Sequence, residues 1–203
     1  MLSHAVEQLR SASDIDAEDL AALVDCLGVG TLALRRRVSD TLRLLAEKGV
    51  AVDHVLASVV QSPCERLRWG AAFTSARLGI LSDPVRDVLI AALASDQSDV
   101  RWAAASVVAN SGEPGSMLPR LQAAAASPRP VQRKMALYCL RDLCASDDET
   151  LKAIEATLAD DDVHVRLAAL AAMASCCRDT NRTLVAIRTA LSDRSPQLRR
   201  AAL

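Results

Sequence analysis

Two kinds of residue in this chain have the type and spacing to do chemistry: an arginine that returns at a fixed step, and a pair of tryptophans set beside it. The arginine column is Arg36, Arg68, Arg101, Arg133, Arg166 and Arg199, whose step never varies by more than a single position. Guanidinium groups in such a column could form an anion ladder, or could hold carboxylates of the chain itself through charge-assisted hydrogen bonds. Trp69 and Trp102, the only two tryptophans, each stand directly after a column arginine, in LRWGAAFT and VRWAAASV. Other copies of that slot carry Arg37, Lys134, Leu167 and Arg200, so the slot is expected to be at least half exposed. Equivalent slots in stacked helices lie about 10 Å apart, near enough for two indoles to share one patch. Exposed tryptophans are frequent anchors of protein partners.

The residue types that metals, cofactors and nucleophilic catalysis require do not gather. His4, His54 and His164 are scattered, and no Cys-x-x-Cys occurs among Cys26, Cys64, Cys139, Cys144, Cys176 and Cys177. Cys139 and Cys144 are five apart on one helix and would not converge on zinc. No glycine-rich phosphate loop and no G-x-S-x-G is present. The chain is therefore expected to have no catalytic residue, no metal and no cofactor. Reduced, buried thiols in a cytoplasmic protein are the simplest account of the cysteines. The N-terminus lacks a basic start followed by an apolar run, and the longest apolar stretch, near Leu167 to Cys177, is too short to span a bilayer. A net charge of −1, with only Lys48, Lys134 and Lys152 beside the arginines, gives no global field for nucleic acid.

What must position these side chains is a tandem array. Three places after each column arginine stands a small residue: Ser39 in the first copy, then Ala71, Ala104, Ala136, Ala169 and Ala202. A second column, Leu56, Leu89, Leu121, Ile154 and Ile187, keeps the same step and a constant offset from the arginine that follows. Two unrelated columns with one period mark a tandem repeat of about 32–33 residues. Ala, Leu and Val dominate and aromatics total four (Trp69, Phe73, Trp102 and Tyr138), a composition for helices rather than sheets. Each unit reads as two helices. The first opens at the arginine phrase after a capping residue and stops near Gly49, Gly79 or Gly112. The second is exemplified by Asp83 to Ala94 and Asp148 to Ala159, each with an apolar stripe at helical spacing.

The phrase Asp162-Val163-His164-Val165-Arg166-Leu167-Ala168-Ala169 resembles HEAT-like repeats, in particular the short variety of phycobilisome lyases and bacterial scaffold proteins. The resemblance runs from about Thr31 to Leu203. It implies an all-α, right-handed α-α superhelix, or α-solenoid, of about six hairpins in one array over 1–203. A divergent capping hairpin, Leu2 to Arg10 with Ala17 to Leu27, is expected within 1–30. The last repeat reads as incomplete, as in a fragment of a longer array or one that pairs end to end. In HEAT-like arrays the column arginine binds an acidic residue at the start of its own or a neighbouring repeat, here Asp99, Asp162 or Asp193.

The resemblance further implies a non-catalytic protein-interaction scaffold or adaptor with a protein or peptide partner, nucleic acid and membrane being disfavoured. Enzyme-associated roles like those of phycobilin lyases, and DNA binding like that of alkylpurine glycosylases, are the alternatives. Solenoids often bind peptides on their second helices, where Asp53, His54, Arg86, Asp87, Arg120, Gln122, Lys152, Glu155 and Arg188 are candidates beside Trp69 and Trp102. Their alternating signs suit a ligand of mixed polarity.

Overall fold

The computed structural model describes residues 6–7, 15–112 and 114–203. Among them every regular element is helical. The α-helices are α1 (Ala17–Asp25), α2 (Leu32–Glu47), α3 (Asp53–Val59), α4 (Glu65–Arg77), α5 (Asp83–Ala92), α6 (Ser98–Ala109), α7 (Pro114–Ala125), α8 (Pro130–Asp142), α9 (Asp148–Ala156), α10 (Val163–Cys176), α11 (Thr180–Leu191) and α12 (Pro196–Ala201). A single 3-10 turn, Cys26–Gly28, follows α1. Of the expected helix from Leu2 to Arg10, all but residues 6 and 7 lie outside the described residues.

Contacts divide the chain into two compact units, residues 1–89 and 90–203, with the boundary inside α5. In the first, the 3-10 turn packs on α2 and α4, and α3 packs on α4. Gly70 makes this close approach possible: a Cβ there would stand 2.7 Å from the Leu27 Cβ. In the second unit α8 is central, packed against α6, α7 and α10, while α9 and α11 flank α10.

Both periodic columns are buried except in the last repeat, where Ile187 and Ala202 are half-buried. Ala71, Ala104, Ala136 and Ala169 are inaccessible, as are Leu56, Leu89, Leu121 and Ile154. Alanine at the contact lets helix axes approach, and the leucine or isoleucine of each second helix fills the space behind. Ser39 departs from the alanine column for a visible reason. Its hydroxyl accepts from Thr74 Oγ1 at 3.0 Å and from Arg77 Nη1 at 3.2 Å, so a polar tie links α2 to α4.

Helix ends follow local rules. Asp16, Thr31, Asp147, Asp162 and Asp179 each accept backbone N–H groups at the start of the helix that follows them. Gly49, Gly79 and Gly112 end their helices with φ of +91°, +77° and +72°. Cys144 takes the same place after α8 at φ +49°. Val50, Ile80 and Ala145, each just beyond such a residue, donate to the carbonyl five positions back (Leu45, Ser75 and Leu140), so these three ends share one motif.

Candidate functional site

Each column arginine from Arg68 onward does one thing in common. Its Nη1 donates to the carbonyl six positions upstream: Arg68 to Ser62 at 2.7 Å, Arg101 to Ser95 at 2.7 Å, Arg133 to Ser127 at 2.9 Å, Arg166 to Asp160 at 2.7 Å and Arg199 to Asp193 at 2.8 Å. The acceptors form a further column, Ser62, Ser95, Ser127, Asp160 and Asp193. Its side-chain oxygens also accept the N–H two positions on, that of Cys64, Gln97, Arg129, Asp162 and Ser195 respectively. The loop before each first helix is thus tied twice, by its own serine or aspartate and by the arginine of that helix. Arg36 is outside this pattern; it is exposed on α2, and the position six before it is Gly30.

Where the acceptor is aspartate, the arginine of the preceding repeat joins in. Arg133 grips Asp160 through Nε at 2.6 Å and Nη2 at 2.7 Å, and Arg166 donates from Nη2 to Asp193 at 2.9 Å with its Nε at an ion-pair distance of 2.9 Å from the same carboxylate. The Arg166–Asp193 side chains are only 5% and 12% exposed. Burial pushes the Asp160 carboxyl up, but the Arg133 guanidinium and the Asp162 N–H outweigh it and hold the group below its usual range. Asp193 is held low first by Arg166 and then by the Ser195 N–H.

Of the acids expected to serve the column, Asp193 does so. Asp162 instead caps α10 through the His164 and Val165 N–H groups, and Asp99 lies in the first turn of α6. The column of acceptors was open to discovery from the sequence, because Ser62, Ser95, Ser127, Asp160 and Asp193 keep the same step as the arginines.

The aromatic residues behave differently. None of the four belongs to the buried core. Trp69 is half-buried, its ring 5.4 Å from that of Phe73 on the same helix. Trp102 is 52% exposed and stacks on Tyr138 of α8, with ring centroids 5.7 Å apart and planes 14° from parallel. Arg141 lies over the Tyr138 ring at 5.1 Å, so the tyrosine contacts both a guanidinium and an indole. In repeat register, Phe73 and Tyr138 share one slot, four places after that of the tryptophans.

The second-helix candidates are largely engaged within the chain. Glu155 binds Arg182 of α11 in bidentate fashion at 2.7 and 3.0 Å, and Arg182 also reaches Asp148 at 2.9 Å. Lys152 pairs with Asp148 at 2.6 Å, and Gln122 of α7 donates to Thr150 of α9 at 2.9 Å. Arg86 pairs with Asp83, Asp87 has a partner, and Arg120 donates to the Ser116 carbonyl. Asp53 and His54 are exposed neighbours at 4.0 Å, and Arg188 is exposed on α11.

The cysteines divide three ways. Cys139 and Cys176 are buried, and burial pushes their thiols up to about 12 and about 11. Cys26 and Cys177 are half-buried, whereas Cys64 and Cys144 are exposed, contrary to the expectation of buried thiols throughout. No group of three His, Cys, Asp or Glu among the described residues could hold a metal ion. No described helix is long and apolar enough to cross a membrane.

No family model matches the chain, and no curated protein matches it. Solved structures do. A computationally designed armadillo repeat protein for modular peptide recognition superposes with a TM-score of 0.50 at 16% identity, covering 100% of this chain and 97% of that one. An engineered protein does so with a TM-score of 0.50 at 17% identity, covering 99% and 95%. The fold is an all-α helical-repeat solenoid of the armadillo type. The resemblance to phycobilisome-lyase-type repeats rests on the repeat phrase alone.

Proposed function

We propose that this protein is a non-catalytic scaffold of the cytoplasm that binds a protein or peptide partner, with Trp69 and Trp102 among its contact residues. The observation that carries the reading is the Trp102–Tyr138 stack. An array built on alanine and leucine needs no aromatic residue for its core, and all four in this chain lie outside it. The stack spans two successive first helices and leaves half of an indole in water, the kind of rigid, amphipathic surface from which binding hot spots are made. Most polar side chains of the second helices are already bonded to neighbouring groups, which favours the first-helix layer as the contact surface. The designed solenoid that shares the fold is described as made for modular peptide recognition. The short HEAT-like phrase favours the same role, since arrays of this kind present long surfaces on which recognition is shared between repeats.

Affinity capture with the whole chain, compared with the Trp102→Ala/Tyr138→Ala double variant, tests the proposal. A dominant protein partner retained by the parent and lost by the folded variant is the expected result. Enrichment of no protein, together with salt-sensitive DNA binding, would overturn it.

A further inference from the structure

Three of the cysteines meet at one end of the packed first helices α8 and α10. Cys144 lies just beyond α8, Cys176 is the last residue of α10, and Cys177 caps that helix. The Cys176 Sγ lies 3.5 Å from the Leu140 carbonyl of α8. That carbonyl also accepts the Ala145 N–H at 3.2 Å, the bond that closes the α8 end around Cys144. The Ala145 N–H bonds the Cys176 thiol as well. The thiol of one repeat therefore rests on the turn that holds the Cys144 of the repeat before.

The two residues differ in access. Cys144 is exposed, whereas Cys176 is only 2% exposed. Burial does most to push the Cys176 thiol up to about 11, and Cys144 is the next cause, ahead of the adjacent Cys177. Cys177 turns elsewhere, its Sγ facing the Asp179 carbonyl at 3.5 Å. The backbone at Cys144 adds a second observation. Gly49 and Gly79 close the same motif at other helix ends, so a cysteine at φ +49° carries a steric cost that glycine would not.

We infer that Cys144 and Cys176 are a redox pair that a peroxide closes into a disulfide, stapling the ends of two successive first helices. The exposed residue reacts first. The Cys144 thiolate attacks one peroxide oxygen, an S–O bond forms as the O–O bond breaks, and the leaving oxygen takes up a proton to become water. Cys176 then attacks the Cys144 sulfenyl sulfur. The S–S bond forms as the S–O bond breaks, and the departing hydroxide leaves with the Cys176 proton as a second water. The thiols have lost two electrons and two protons, and the peroxide has been reduced to water. A dithiol reductant reverses the step and is itself oxidised to a disulfide. In the reducing cytoplasm proposed for this protein, such a bridge is transient and belongs to sensing.

The test treats the whole chain, dilute and reduced beforehand, with hydrogen peroxide, and maps its cysteines by non-reducing proteolysis and fragment mass spectrometry. A Cys144–Cys176 bridge is expected, leaving four of the six cysteines as free thiols. The thermal midpoint should rise by several degrees and return when dithiothreitol is added. Cys144→Gly keeps the fold, because glycine suits that backbone, and is expected to lose both the bridge and the rise. Cys64→Ser, which alters an exposed thiol elsewhere, should keep both. A bridge of Cys177 to either residue, a link between two molecules through Cys144, or Cys144 oxidised to sulfinic acid beside a free Cys176 would overturn the inference. So would a chain whose thiols all survive the peroxide. None of these outcomes bears on partner capture through Trp102.

Discussion

The Arg166 guanidinium bonds backbone and carboxylate at once, and the two kinds of bond differ in consequence. Its Nη1 contacts to the Asp160 and Asp161 carbonyls at 2.7 and 3.1 Å satisfy loop acceptors, as every arginine of the column does from Arg68 onward. Its grip on Asp193 is buried, so removing one partner strands the other charge. Arg166→Ala is therefore expected to cost about 3–5 kcal/mol in urea unfolding. Arg101→Ala, which gives up a carbonyl contact without a carboxylate, should cost about 1–2 kcal/mol. Trp102 belongs at the same scale. Because half of the ring is in water, Trp102→Ala forfeits mainly the Tyr138 stack, about 1 kcal/mol, far below the roughly 3–5 kcal/mol expected for a buried indole. A loss near the larger figure in the same unfolding experiment would show that the ring serves packing instead of recognition.

At the scale of the element, helix ends decide stability through single backbone angles. Cys144 and Cys177 occupy one repeat slot, yet the first has φ +49° and the second φ −88°. An L-residue in the left-handed region carries a steric cost of about 1 kcal/mol that glycine does not. Cys144→Gly should raise the stability by about that amount, whereas Cys177→Gly should lower it by about 0.5–1 kcal/mol through unfolded-chain entropy. Thermal unfolding of the two variants, compared with the parent, separates these opposite signs. The serine-to-aspartate change in the loop column works at this scale as well. It leaves the Asx-type loop bond intact and adds a grip for the arginine one repeat back.

Across the whole molecule the carboxylate grips are unevenly placed. Arg133–Asp160 and Arg166–Asp193 both lie in residues 90–203, whereas Arg68, in residues 1–89, bonds carbonyls of its own loop. Asp160 and Asp193 have folded-state pKa values below those of the unfolded chain. Their contribution is present above the unfolded value near 4 and is lost as pH falls through the folded one. Acid should therefore weaken the second unit first. Single-tryptophan variants provide the measurement: with Trp69→Phe, Trp102 reports on residues 90–203, and with Trp102→Phe, Trp69 reports on residues 1–89. The Trp102 signal is expected to change at the higher pH. Coincident transitions, or an earlier change at Trp69, would show that the carboxylate grips do not set acid stability.

The repeat step, the pairing of helices, the buried alanine and leucine columns and the glycine stops were all legible in the residues alone. They follow from local rules and from a period that any stacked array must keep. The choice of acid for each arginine was not, because Asp160 and Asp162 are two positions apart and only the path of the loop decides which one faces the guanidinium. Nor could the residues show that Glu155 is already paired with Arg182, or that Ser39 bonds Thr74, since these partners come from separate helices. The Arg and Lys copies of the tryptophan slot foretold that Trp102 would be half exposed, but not what its ring would rest on. Tyr138 comes from the neighbouring first helix, and only the packing of the two helices brings the rings together.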